Sequence, residues 1–246
     1  MRWLISLCIS LCFAAPAVAQ ACEKSETSCL LDAAWSAALI LPEEKRARLA
    51  APFLEIATLT KDPELVSFWE ERFGESADIV RTYPDYGWQT ASPLLASGGV
   101  DELIARAERR EAPLSFGRAD VLLAAGKHFQ NDRPETAHRL NDALLSLMRS
   151  ASKFEQPNLA HAAAELAMVR CDLNTFETAR ADTDAPDNLR YAFWRARISG
   201  KNNALLTSVR AIEEDQDTRE VRRVLDGYRA ILELGYCPAR ISQIGD

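Results

Sequence analysis

The sequence predicts an all-α protein: an array of short antiparallel helix pairs with no β-sheet of note. Three observations carry that expectation. Apolar residues recur at helical spacing through most of the chain, alternating strand patterns of four or more residues are scarce, and Pro, Gly and Asn/Asp clusters interrupt the sequence at intervals of about ten to twenty residues. The composition agrees. A chain of 246 residues that is 48% hydrophobic and 26% charged is neither disordered nor collagen-like. Roughly ten to thirteen helices, each burying one stripe, would account for its length.

The first element is an address. Arg2 precedes a continuous run of apolar and small residues from Trp3 to Ala15, and Ala17-Val18-Ala19 follows as an A-x-A cleavage site. This is the pattern of a secretory signal peptide (residues 1–19), with cleavage expected after Ala19. The run is shorter than the ~20 residues of a spanning helix, and no later stretch approaches that length, so no membrane span is expected. Ala19-Gln20-Ala21-Cys22 loosely resembles a lipobox, which makes a lipoprotein anchored at Cys22 the alternative. Ala stands where Leu is usual three residues before the Cys, and the soluble periplasmic form is preferred.

Cysteine usage points the same way. Cys8 and Cys12 leave with the signal, and Cys22, Cys29, Cys171 and Cys237 remain. Four cysteines in an oxidising compartment suggest two disulfides with three possible connectivities. Loop lengths favour Cys22–Cys29, both in the N-terminal lead, and Cys171–Cys237, both near helix ends. Paired C-x-x-C or H-x-x-x-H spacing is absent, so neither a metal site nor a cofactor is expected.

Helix starts follow in order. Pro42-Glu43-Glu44 puts two acids in a first turn, where the helix dipole favours them. Pro52, inside an apolar run, predicts a break or kink. Asp62-Pro63-Glu64 places a capping residue before a Pro that needs no N–H partner. Asp132-Arg133-Pro134-Glu135 and Asp217-Thr218-Arg219-Glu220 fit capping boxes, and Pro157 and Pro186 fit two more starts. Stripes follow these signals: Ala137, Leu140, Leu144, Leu147 and Met148; Leu205, Leu206, Val209 and Ile212; and, in the last helix, Val221, Val224, Leu225, Tyr228, Ile231 and Leu232. The opposite face of that last helix carries Arg222, Arg223, Asp226, Arg229 and Glu233. Residues 20–99 read as an N-terminal helical region without a period, and residues 100–246 as an array packed on it.

From about Phe116 onward the helices come in pairs. Leu122, Leu159, Leu189 and Val221 open successive units at spacings of 37, 30 and 32 residues. Gly126 and Phe129 before the Asn131-Asp132 turn, and Ala167 and Ala179 twelve residues apart, supply small and aromatic packing positions. Over residues 116–237 the chain resembles the tetratricopeptide repeat, whose unit is 34 residues. Ala137 is one position out of register, Arg170 stands where an aromatic is expected, and the terminal Pro of the repeat rarely lines up. The resemblance implies a solenoid with an extended concave surface for a protein partner.

Candidate sites are few. His128 and His138 flank a turn and could face one another, but a third metal ligand is missing; with His161 they read as surface or packed histidines. Glu70-Glu71 and Glu213-Glu214-Asp215 read as solvated faces, and no G-x-S-x-G elbow is present, so no catalytic residues are assigned. The helices at 118–129, 158–170 and 188–199 would line the open face. Their non-core positions supply Lys127, Arg170, Arg190, Trp194, Arg195 and Arg197, of the Arg and Trp types enriched at binding hot spots. A second candidate is the aromatic loop Tyr83-Pro84-Asp85-Tyr86-Gly87-Trp88, of which Tyr83, Tyr86 and Trp88 could anchor a partner or plug a helix junction. Phe193 and Trp194 are neighbours and cannot share one stripe.

A net charge of −7 argues against a nucleic-acid partner. The expected function is that of an exported binding or assembly protein of a Gram-negative envelope, contacting another envelope protein through an acidic segment and lacking enzymatic activity. The alternative is an envelope enzyme or enzyme accessory, for example in peptidoglycan turnover.

Overall fold

The computed structural model describes residues 26–74, 86–115, 117–200 and 218–238. The described residues form helices joined by turns, with no strand among them. In order they are α1 (Glu26–Ala38), α2 (Glu43–Ala47), α3 (Ala50–Leu59), α4 (Pro63–Phe73), α5 (Tyr86–Arg109), α6 (Arg118–Phe129), α7 (Pro134–Ser150), α8 (Gln156–Val169), α9 (Leu173–Ala181), α10 (Leu189–Ser199) and α11 (Thr218–Leu234). The all-α expectation holds. The stripe at Leu205–Ile212 and the cap at Asp217 lie outside the described residues.

Local chemistry explains most boundaries. Asp62 caps α4 by accepting from Glu64 N at 3.0 Å and Leu65 N at 3.3 Å, with Pro63 in the first turn. Glu43 and Glu44 fill the first turn of α2. At Pro52 the expected break is found and no kink: the chain turns between α2 and α3, α3 begins at Ala50, and Pro52 sits in its first turn, where its missing N–H costs no intrahelical bond. Two expectations need correction. The start at Pro134 is as expected, but Arg133 is the cap residue and no side chain caps α7. Pro186 lies in the turn before α10, which is capped by Asn188 accepting from Tyr191 N at 3.2 Å.

Helices α5 to α9 pack sequentially, each on the next, and alternate helices also touch: α5 on α7, α6 on α8, α8 on α10. That pattern lines α6, α8 and α10 side by side. Their shared core holds Leu122, Leu140, Leu144, Leu159, Leu166 and Phe176. Burying each such side chain contributes about 1.5–3 kcal/mol. Gly126 on α6 lets α8 approach, since a Cβ there would lie 2.4 Å from a methyl carbon of Leu166.

A second core forms elsewhere. Leu30, Leu31, Phe53, Ile56, Trp69 and Phe73 from the N-terminal helices pack with Val221, Val224, Leu225 and Tyr228 of the last helix. The first and last described helices therefore close on each other, and Thr27 Oγ1 meets Tyr228 Oη at 3.0 Å. Helix α10 joins the two cores through the pair whose adjacency is incompatible with one stripe. Phe193 enters the second core and Trp194 the first, each nearly fully buried.

Two turns bring a pair of cysteines together. Cys171 ends α8 at a left-handed position (φ 60°), with Asp172 N bonded to Ala167 O at 2.9 Å and its own N to Met168 O at 3.2 Å, the two bonds of a Schellman turn. Gly235, also left-handed (φ 67°), ends α11 and turns the chain toward Cys237. The Cys171–Cys237 disulfide then forms with Cα atoms 5.7 Å apart, the pairing expected from the two helix ends. Cys29 is also disulfide-bonded; Cys22, its expected partner, lies outside the described residues.

Candidate functional site

The lined-up helices α6, α8 and α10 do not leave an open trough. Helix α11 packs along α10, α3 packs on α11, and the space between these elements is a cleft of about 420 Å³. Its walls are polar. Lys127 comes from α6, His161 and Glu165 from α8, Arg190 and Trp194 from α10, Arg222, Asp226 and Arg229 from α11, and Glu55 from α3.

Helical spacing places these groups together. His161 and Glu165 are one turn apart on α8, with Nε2 and Oε2 at 3.7 Å. Arg222, Asp226 and Arg229 form the polar stripe opposite the buried stripe of α11. Glu165 pairs with Lys127, Arg229 pairs with Glu55, and Arg190 Nη2 donates to Asp226 Oδ2 at 2.6 Å. Arg222 adds a longer contact to Asp226 at 3.9 Å.

His161 sits at the centre. Arg190 Nη1 lies 3.1 Å from its Nε2, and because a guanidinium only donates, Nε2 is the acceptor and the ring is neutral. The proton is therefore on Nδ1, which donates to Tyr191 Oη at 2.6 Å. The ring also stacks on Trp194, centroids 5.3 Å apart. Burial is the main reason that His161 titrates below its ordinary value, and the Arg190 charge adds to it against the pull of Glu165. Burial alone would push the Glu165 carboxyl up; Lys127, His161 and Arg190 together hold it below the usual carboxylate value. Burial pushes the Tyr191 phenol up to about 12. At neutral pH the cleft thus holds an uncharged imidazole between fixed charges of both signs. Among the described residues no cluster of His, Cys, Asp and Glu has the arrangement to hold a metal ion.

The residues singled out from the sequence fall in several places. Lys127, Arg190 and Trp194 line the cleft. Trp194 does so as a buried side chain, 3% exposed. Arg197 is corrected. It is 4% exposed and bonded to Met168 O, so it presents no surface to a partner. Arg170 bonds His138 Nδ1, and Arg195 pairs with Glu177 at 2.7 Å; neither lines the cleft. Tyr86 is exposed at the start of α5, while Trp88 is half-buried and stacks on His128 at 4.1 Å, so the aromatic segment plugs a helix junction at that point. Tyr83 lies outside the described residues. His128 and His138 each engage other groups, Trp88 and Arg170 respectively.

Sequence reasoning missed His161, Glu165, Glu55 and the charged stripe of α11 as one site. The stripe was visible as a polar face. That α3 would cover it was not, because the contact joins residues more than 160 positions apart.

No family model, characterised protein or solved structure matches this chain.

Proposed function

We propose that this chain is an exported binding or assembly protein of a Gram-negative envelope, acting in the periplasm through protein–protein contacts and not by catalysis. The observation that carries the reading is the cleft: a concave polar surface built by alternate helices of an array and roofed by α3. Concave faces of helical arrays serve as binding surfaces, which is support by analogy of fold. The export pattern at residues 1–19 and the disulfide use support the compartment.

The rim favours an acidic partner segment. In two of the ion pairs the cation is the outer member: Lys127 is 42% exposed against 16% for Glu165, and Arg222 is 59% exposed against 20% for Asp226. An incoming carboxylate meets positive charge first, while the acids beneath hold the cations in place.

The test is affinity capture from a periplasmic extract with residues 20–246, disulfides intact, beside a Lys127→Ala/Arg222→Ala variant. Both side chains are exposed, so the variant should keep its helix content, which far-ultraviolet circular dichroism checks. The expected result is a captured partner that elutes with salt and whose recovery falls at least about tenfold with the variant. Unchanged recovery contradicts the proposal. So does turnover of peptidoglycan by the pure protein that is lost in His161→Ala.

A further inference from the structure

The Cys171–Cys237 bond has an unusual neighbour. Arg197 Nη1 lies 3.1 Å from Cys237 Sγ and 3.5 Å from Cys171 Sγ, and its backbone oxygen accepts from Cys237 N at 3.0 Å. Its Nε has no hydrogen-bond partner among the described residues. Burial lowers its pKa, and no carboxylate among the described residues offsets that effect. A buried guanidinium in this state is costly, because a carbonyl and two neutral sulfurs are poor compensation for lost hydration. A thiolate in place of one sulfur would be a full counter-ion at hydrogen-bond distance.

We propose that Cys171–Cys237 is an exchange-competent disulfide whose substrate class is a dithiol, with Arg197 stabilising the leaving thiolate. Cys171 is half-buried and Cys237 is 8% exposed, so attack falls on Cys171. One thiol of the dithiol loses its proton to solvent, and its thiolate attacks Cys171 Sγ. The protein S–S bond breaks, its electron pair leaves on Cys237 Sγ beside Arg197, and a mixed disulfide remains on Cys171. The second thiol of the dithiol then attacks its own sulfur in that mixed disulfide and passes its proton to the departing Cys171. The dithiol is oxidised by two electrons to its disulfide, Cys171 becomes a thiol, and Cys237 becomes a thiolate paired with Arg197. Cys171 follows the cap residue Arg170 of α8 and Cys237 closely follows α11, so the exchange unties two walls of the cleft.

The test equilibrates the full chain with mixtures of reduced and oxidised dithiothreitol and counts alkylated thiols by mass. Arg197→Met should need at least a tenfold higher reduced-to-oxidised ratio for half-reduction, which is about 30 mV for this couple. Brief exposure of the unaltered protein to glutathione, trapped with iodoacetamide, should place glutathione on Cys171 and the alkyl group on Cys237. In Cys171→Ser, alkylation of Cys237 should be half-maximal below the ordinary thiol pKa of about 8.5. Equal half-reduction ratios in a folded Arg197→Met variant overturn the proposal. If that variant does not fold, glutathione found on Cys237, or an ordinary or raised thiol profile in Cys171→Ser, overturns it instead.

Discussion

Gly227 lies where α11 packs tightly against α10, the two helices that complete the cleft. A Cβ built there would lie 2.9 Å from Phe193 Cβ and 3.1 Å from Arg190 Cα. Neither carbon can swing away, because both move only with the backbone of α10. Changing a mid-helix Gly to Ala normally gains about 1 kcal/mol from propensity. Here the added methyl must push α10 off α11, an overpacking cost of about 1–3 kcal/mol. It displaces Phe193, which plugs the second core, and Arg190, which holds Asp226 and His161. The net expectation for Gly227→Ala is a loss of up to about 2 kcal/mol, or a melting point lower by up to about 8 °C for a chain of this size. Gly126→Ala is the comparison. The three atoms nearest its methyl all belong to the Leu166 side chain, which can change rotamer, so the loss should be smaller. Differential scanning calorimetry of the oxidised proteins reads both. A Gly227→Ala variant that melts above the parent, showing the propensity gain with no overpacking cost, would refute the close packing of α10 on α11.

Three further outcomes rest on the same geometry. Cys171→Ser/Cys237→Ser opens a loop of 66 residues' separation and should cost about 4 kcal/mol in the loop-entropy model, seen as a lower melting point with the far-ultraviolet helix signal intact in the cold. Phe193→Ala and Trp194→Ala each empty a different core and should each cost about 3–5 kcal/mol in urea unfolding, with nearly additive effects if the two cores are independent. Acid should weaken the fold in two windows. His161 has a folded pKa below its unfolded value of 6.5, so the unfolded chain takes the proton first and stability falls as pH drops through and below 6.5; Glu165, also lowered, loses its contribution as pH falls below 4.5. Urea midpoints at stepped pH should show the first loss in the parent and not in His161→Gln.

Much of the fold was legible because it is local. The stripe of the last helix, the Asp62 cap and the Pro134 start depend on residues within a few positions of one another. The disulfide was legible from two helix ends and cysteine parity. What was hidden depends on distant contacts. Nothing near Glu55 indicates that it will meet Arg229, and nothing near Arg197 distinguishes it from the exposed Arg195 two residues away. Helical periodicity places those two arginines on different faces but does not say which face a neighbouring helix will cover. Of the basic set on the array, Lys127 and Arg190 line a concave surface, and their charges are met by Glu165 and Asp226, one on a neighbouring helix of the array and one on the closing helix. Phe193 and Trp194 show the opposite case, where a local conflict in the pattern marked the helix that joins the two cores.

We propose that the cleft between α3, α6, α8, α10 and α11 receives the partner. Asn131 lines that cleft and is exposed, whereas Phe154, 95% exposed, does not line it. A photo-cross-linking residue placed singly at each position and irradiated in the periplasm tests the claim most directly. Binding in the cleft predicts a discrete cross-linked protein from position 131, lost in the Lys127→Ala/Arg222→Ala background, and none from position 154. A product from position 154 with none from position 131 would contradict it.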